Sequence, residues 1–425
     1  MARALRSKNC ARTGEKSPMT ENDLSLATPA IHSADETPPV TLRPTPLAAL
    51  LASAATGPEL AAWPELVAYR GALTPLKLDA PERETAALIY GVAVHDLGWL
   101  RRVAVRGEDR FRWLIGMVTN TVNDLEVNTG AWNLVLNAQG RIQGDLNVWR
   151  EGERLPPQRQ GPISGDPGLD LEIAADQHDR LLAHFDRFII MDDVELVPLS
   201  LNHETGETAL GLTGPQAADL LARLGLPELK EPLTSARAAW NGLEVLVVRA
   251  YGMLALHYEL WVQADKIPAL WKALTEAGAN PVGAASLEAF RIAEGIPAYG
   301  IDIAERDLPQ ETSQMRALSF SKGCYLGQEI VERIRSRGSV HRHLRTLELF
   351  GPVPPAGAEL TLESGAVAGQ ITSAAELPLE KGHRLFALGM IRGEAELRNQ
   401  PLTYTAGETA GTANILTAPP QLEAG

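Results

Sequence analysis

Two cysteines occur in this chain of 425 residues, and only Cys324 stands where chemistry is plausible; Cys10 lies in a polar N-terminal stretch. Cys324 sits in SKGCYLGQEI, residues 321–330, two residues after Lys322 and between Gly323 and Gly327. A cysteine does chemistry as its thiolate, which is favoured beside cations and at helix N-termini. Ile330, Val331 and Ile334 have helical spacing, so a helix is expected to start near Gly327. Together these features predict an accessible, thiolate-forming Cys324. A protease-type nucleophile would also need a positioned base. His95, His178, His184, His257, His341 and His343 are scattered, and no spacing ties one of them to the thiol. Zinc or a complete iron–sulfur cluster takes about four ligands, so any cluster at Cys324 would have to be shared with another molecule.

The elements that must position this thiol belong to a chain large enough for two or three domains, with 45% hydrophobic and 22% charged residues. No apolar run reaches the length of a membrane span, and the N-terminus lacks a secretory core. The net charge of -14 argues against nonspecific nucleic-acid binding. Between Arg316 and Arg345, however, seven basic residues oppose Glu329 and Glu332. Arg333, Arg335 and Arg337 could therefore dock an anionic partner. Residues 1–57 are rich in Ala, Thr, Pro and Ser and are expected to be a disordered leader. Its first residues, with Arg3, Arg6, Lys8, Arg12 and Lys16 against Glu15, would suit an organellar transit peptide.

Residues 59–71 read as a short helical entry broken by Pro64. LRRVAVRG then reads as a strand, EDRFRWLIGMVTN as a helix, and GAWNLVLNAQGRIQGDLNVWR as a hairpin turning at NAQG. GERLPPQRQGPISGDPG reads as a surface insertion, and QHDRLLAHFDRFII as a helix. Strand and helix alternate to about residue 337 with no glycine-rich nucleotide fingerprint. From about residue 340, short strands separated by Gly and Pro suggest a small all-β domain.

The stretch KGCYLGQE resembles the K-G-C-[FY]-x-G-Q-E signature of the YgfZ family, folate-binding proteins of iron–sulfur cluster maintenance. The residues that carry it are Lys322, Gly323, Cys324, Tyr325, Gly327, Gln328 and Glu329. The similarity runs over roughly residues 86–395 and also resembles the aminomethyltransferase (T-protein) of the glycine cleavage system. This resemblance implies a three-domain, cloverleaf-like α+β fold with a C-terminal β-barrel. The expected parts are residues 58–200 and 201–337, forming the folate-binding portion, and 338–425, forming the barrel. It also implies tetrahydrofolate as cofactor, with Trp99, Asn120, Asp145, Glu259 and Arg291 as its contacts. Cys324, assisted by Lys322, would be the reactive thiol, contacting a transient, shared iron–sulfur cluster. The implied partners are cluster-assembly proteins and iron–sulfur client enzymes, tRNA-modifying enzymes among them. The implied compartment is the cytoplasm, with the mitochondrial matrix as alternative. The competing activity is that of an aminomethyltransferase or another folate-dependent one-carbon transferase. Against it stands QGDL, where T-proteins carry paired acids and Gly144 leaves only Asp145. YGMLALHYE likewise replaces a glycine-rich stretch of the T-proteins.

Overall fold

The computed structural model describes residues 42–54, 64–152, 168–200 and 206–422. The transit-peptide segment and most of the Pro- and Gly-rich insertion lie outside these residues. The helices are α1 (Pro46–Ala54), α2 (Pro81–Tyr90), α3 (Arg110–Ile115), α4 (Ala175–Asp186), α5 (Ala217–Arg223), α6 (Ile267–Glu276), α7 (Ala284–Glu294), α8 (Gln328–Arg337) and α9 (Gly393–Glu396). The strands are β1 (Leu66–Tyr69), β2 (Ala72–Pro75), β3 (Ala93–Asp96), β4 (Leu100–Arg106), β5 (Thr129–Leu136), β6 (Ile142–Glu151), β7 (Gly168–Ala174), β8 (Glu195–Pro198), β9 (Glu207–Thr213), β10 (Thr234–Trp240), β11 (Leu243–Ala250), β12 (His257–Gln263) and β13 (Asn280–Val282). They are followed by β14 (Arg342–Phe350), β15 (Glu359–Thr361), β16 (Val367–Leu379), β17 (Gly382–Arg392), β18 (Leu402–Ala406) and β19 (Thr409–Ile415).

Eleven strands form one mixed sheet in the order β13-β3-β9-β12-β11-β10-β5-β6-β7-β4-β8, and the last six strands of the chain close into a barrel. Only β13 and β3 pair in parallel within the sheet. In a flat sheet β12 and β7 would lie about 24 Å apart, at about 4.8 Å per strand. Their side chains nonetheless meet, because Glu259 of β12 hydrogen-bonds Glu172 of β7. The sheet must therefore curl. A core of Leu97, Leu100, Trp149, Ala209, Leu246, Val248 and Trp261 fills the fold, with Trp99 packed against it. The helices cover the outer faces: α3 and α4 pack with β4 to β7, and α5 and α6 with β9 to β12.

Three sequence expectations change here. Residues 42–54 of the expected leader are ordered, because Pro46 opens α1 and Leu47 is buried in the core with Leu50 and Leu51 against it. Thr45 caps this helix by accepting the Ala48 N–H at 3.1 Å. Residues 66–69 form a strand rather than a helix. Arg70 and Gly71, with φ of 50° and 87°, make the tight turn that pairs β1 with β2. A Cβ at Gly71 would lie 2.3 Å from the Asp176 nitrogen, so this turn can press against the start of α4 only as glycine. Finally, α4 stops at Asp186. The Phe188 carbonyl is taken by the Trp113 indole at 3.2 Å, leaving Ile190 and Met191 exposed beyond the helix.

Candidate functional site

The turn between β3 and β4 carries Trp99. Its indole N–H donates to the Asp96 carbonyl at 3.1 Å, and the Asp96 carboxylate fixes the turn by accepting from Thr45, Thr74 and the Gly98 N–H. The cap of α1 and the placement of Trp99 thus share one buried carboxylate. Tyr69 meets the Trp99 ring edge-on at 5.6 Å, and the Arg70 guanidinium lies 5.8 Å from that ring. Arg70 also reaches Asp176 at 3.7 Å.

Strand alternation puts Gly144 and Asp145 on opposite faces of β6. Asp145 accepts from the Trp132 indole at 3.0 Å and from the Gln177 amide at 2.9 Å. Gly144 faces α4, where a Cβ would stand 2.8 Å from Gln177 Oε1 and 2.9 Å from Leu181. No acid could be accommodated at 144 beside Asp145. Asp176 lies nearby in the first turn of α4. Burial pushes the Asp176 carboxyl above the usual range, Arg70 opposes that shift, and the nearby charge of Asp145 adds to it. Arg180, one turn further along, stacks on Tyr299 at 4.8 Å. Asp176, Arg70, Arg180 and Tyr299 carry no motif and were not singled out in the sequence.

Glu259 is buried on β12. Its carboxyl is pushed well above the usual range by burial and by the charge of Glu172, with which it shares a hydrogen bond. The Trp261 indole donates to Glu259 at 2.8 Å, and the Trp149 indole donates to Glu172 at 3.1 Å. The two carboxyls lie together in an aromatic setting. Below it Arg102, wholly buried, pairs with Glu151 and with Asp170 at 3.1 Å and lies 5.4 Å from the Trp261 ring.

The other two expected contacts are held by the protein itself. Asn120 donates its amide to the carbonyls of Trp132 at 3.0 Å and Arg316 at 2.8 Å. Arg291 binds Glu288, the Ile296 carbonyl and Asp302, the last at 2.7 Å. Both side chains pin neighbouring segments.

The cysteine loop is built as a rigid support. Gly327 has φ of 81° and caps α8, and a Cβ there would meet the Asn137 carbonyl at 2.5 Å, on the turn between β5 and β6. Leu326 donates to the Gly116 carbonyl at 3.0 Å, and Tyr325 is buried. Lys322 turns inward to the carbonyls of Ile115, at 2.7 Å, and Val118. Cys324 is left exposed. Glu329 and Glu332 pair with Arg333 and Arg335 along α8, so much of its basic charge is locally met. Among the described residues no group of three or more His, Cys, Asp or Glu is placed to hold a metal ion, and no helix is long and apolar enough to cross a membrane.

Two predictions arise from this loop. Burial pushes the Lys322 ammonium down to about 7, against the carbonyls and the Tyr325 ring that favour its charge. Below that pH both folded and unfolded chains hold the proton, and the burial cost is fully present. As pH rises through about 7 the folded protein releases the proton, while the unfolded chain keeps it until about 10.4. Wild-type stability should therefore rise across this window relative to Lys322→Met, as measured by urea unfolding at several pH values. Parallel pH profiles for the two proteins would contradict it. In Cys10→Ser protein, Cys324 should react with iodoacetamide in the folded state, without urea. Protection that disappears only on unfolding would contradict the exposed placement.

The described sequence matches the GCVT N-terminal domain family model over residues 171–322, which ends at Lys322. The chain is 28% identical over 360 residues to the aminomethyltransferase of Rubrobacter xylanophilus, covering 83% of this chain and 86% of that one. It is 27% identical over 319 residues to the aminomethyltransferase of Frankia alni, covering 74% and 82%. It is 25% identical over 334 residues to a putative chloroplastic transferase of Arabidopsis thaliana, covering 78% and 72%. The structure of glycine cleavage system aminomethyltransferase T from Bartonella henselae superposes with a TM-score of 0.74 at 18% identity, covering 89% of this chain and 98% of that one. The curled sheet and closed C-terminal barrel are thus the aminomethyltransferase fold, and the sequence matches support the aminomethyltransferase superfamily for this chain.

Proposed function

We propose that the protein binds a reduced folate beside Trp99, Asp145 and Glu259 and supports iron–sulfur clusters in client enzymes through Cys324. The observation that carries this reading is the support of the thiol. Three contacts, from Lys322, Leu326 and Gly327, brace the loop against α3 and the β5–β6 turn, leaving Cys324 exposed. The same hairpin carries Trp132 and Asp145, so the thiol loop rests on the element that holds them.

The residues fit a folate. An aromatic wall, the Asp145 side chain and the buried Glu259 carboxyl, pushed well above the usual range, offer stacking, acceptor and donor groups to a polar heterocycle. A bound reduced folate would supply ring nitrogens that accept or donate a one-carbon unit. The chain's own residues orient it: Trp99 by its fixed turn, Asp145 through Trp132 and Gln177, and Glu259 through Trp261 and Glu172. In its role with clusters, Cys324 supplies one thiolate ligand to a cluster that is cargo. The remaining ligands come from a partner protein or a small thiol.

A second reading, folate-dependent aminomethyl transfer, is favoured by Asp176. That carboxylate stands near Asp145 and restores the acidic pair that Gly144 removes from the strand. The two readings separate experimentally. Cells lacking the protein should lose activity of iron–sulfur enzymes, and Cys324→Ala should fail to restore it. Full rescue by Cys324→Ala, together with ammonia release from an aminomethyl-lipoyl carrier by purified protein and tetrahydrofolate, would establish the transferase instead.

A further inference from the structure

Arg316 occupies an unusual position for a cation. Its guanidinium lies 4.3 Å from the Trp132 ring centre and 3.8 Å from that of Tyr251, so two aromatic rings sit close against it. Its Nε–H donates to Gln314 at 3.2 Å. Among the described residues no carboxylate forms an ion pair with it. Asp145 and Glu294 act on it only at longer range, and both are already engaged. Glu294 accepts from His257 and from the Met253 and Leu254 N–H groups. Asp145 accepts from Trp132 and Gln177.

Arg316 lines a cleft of about 430 Å³ between α7, the segment around residue 315 and the barrel. The other arginine of the cleft, Arg345, is bound to Glu396 and Ser313. Leu344, Leu388 and Leu416 form one part of its wall, exposed Met253 and Met315 another, and Glu294, Ser313, Gln314 and Thr346 add polar groups to the lining. A volume of this size suits a small molecule. A dehydrated cation without a carboxylate calls for an anion, and the free in-plane N–H groups match the two oxygens of a carboxylate. The apolar walls call for an organic body behind it.

We propose that this cleft binds an organic carboxylate, its oxygens on the open edge of Arg316 and its apolar part against Leu344, Leu388 and Leu416. The carboxylate comes either from the tail of a folate held at the Trp99 cluster or from a separate molecule. The folate source rests on the function proposed above; the cleft itself does not.

The test is calorimetric titration of full-length protein with 4-aminobenzoyl-L-glutamate, benzoate, tetrahydrofolate and tetrahydropteroate, which lacks the glutamyl carboxylates. Wild type should bind 4-aminobenzoyl-L-glutamate saturably. Arg316→Gln should weaken it by about tenfold or more, the scale of a charged hydrogen bond. Met315→Glu, which leaves the arginine in place and adds a like charge to the ligand's at the lining, should also weaken it. Weakening of tetrahydrofolate but not tetrahydropteroate in Arg316→Gln assigns the carboxylate to the folate tail. Weakening of the two small carboxylates with both folates unchanged assigns it to a separate molecule. Wild type that binds 4-aminobenzoyl-L-glutamate but neither folate supports the cleft and removes the folate reading. Equal binding of all four probes by wild type and Arg316→Gln, or no carboxylate binding by folded wild type at millimolar concentration, overturns the proposal.

Discussion

Arg102→Leu should lower the unfolding free energy by about 3–5 kcal/mol, the cost of leaving buried carboxylates without their cation. Burial opposes the charge on Arg102, but Glu151, Asp170 and Glu207 together hold it firmly cationic. Its side chain is 0% exposed, and those of Glu151 and Asp170 only 2% and 3%. Water therefore cannot replace it. Arg237, 3.3 Å from Glu151, would soften the loss at that carboxylate. Arg102 also lowers the tendency of Glu259 to hold its proton, so its removal should raise the Glu259 carboxyl further. Urea unfolding measures the first effect. A loss below about 1 kcal/mol, the scale of an exposed pair, would contradict the buried network.

Asp145→Asn should weaken tetrahydrofolate binding by about tenfold to a hundredfold, the range for a hydrogen bond to a charged group. The change keeps the side chain's shape but removes its charge and presents an N–H₂ where Trp132 and Gln177 both donate. Asp176 should then lose the neighbouring charge that helps raise its carboxyl. Titration of the folded variant, with stability checked by urea, measures the effect. Unchanged affinity would place the ligand away from the β5–β6 hairpin.

What the sequence revealed, and what it hid, follows from the range of the interactions. The hairpin turning at Asn137–Gly140 and the helix after Gly327 are specified by neighbouring residues, through positive-φ glycine and 3.6-residue spacing, and both stand where the pattern puts them. Cys324 was singled out by its flanking residues, and the structure leaves it exposed. Asp176 could not be read the same way. It is one of many acids at a helix start, and Arg70 reaches it only because the β1–β2 turn presses on α4. The Glu172–Glu259 pair requires the sheet to curl across four intervening strands, which no local pattern encodes. Arg316 reads in sequence as one of seven basic residues, and only the fold sets Trp132 and Tyr251 against its guanidinium. The apolar end of α4 misled for the converse reason. FII continues the helical pattern, but the Phe188 carbonyl is captured by Trp113 from α3.

Calorimetric titration of the purified protein with tetrahydrofolate tests the folate site proposed at Trp99, Asp145 and Glu259 most directly. Wild type should bind one equivalent. Trp99→Ala should bind more weakly by about 1 kcal/mol, the scale of an aromatic contact, and Glu259→Ala should also bind more weakly, while both variants remain folded. Wild type that shows no saturable binding, or variants that both bind as tightly as wild type, would contradict it.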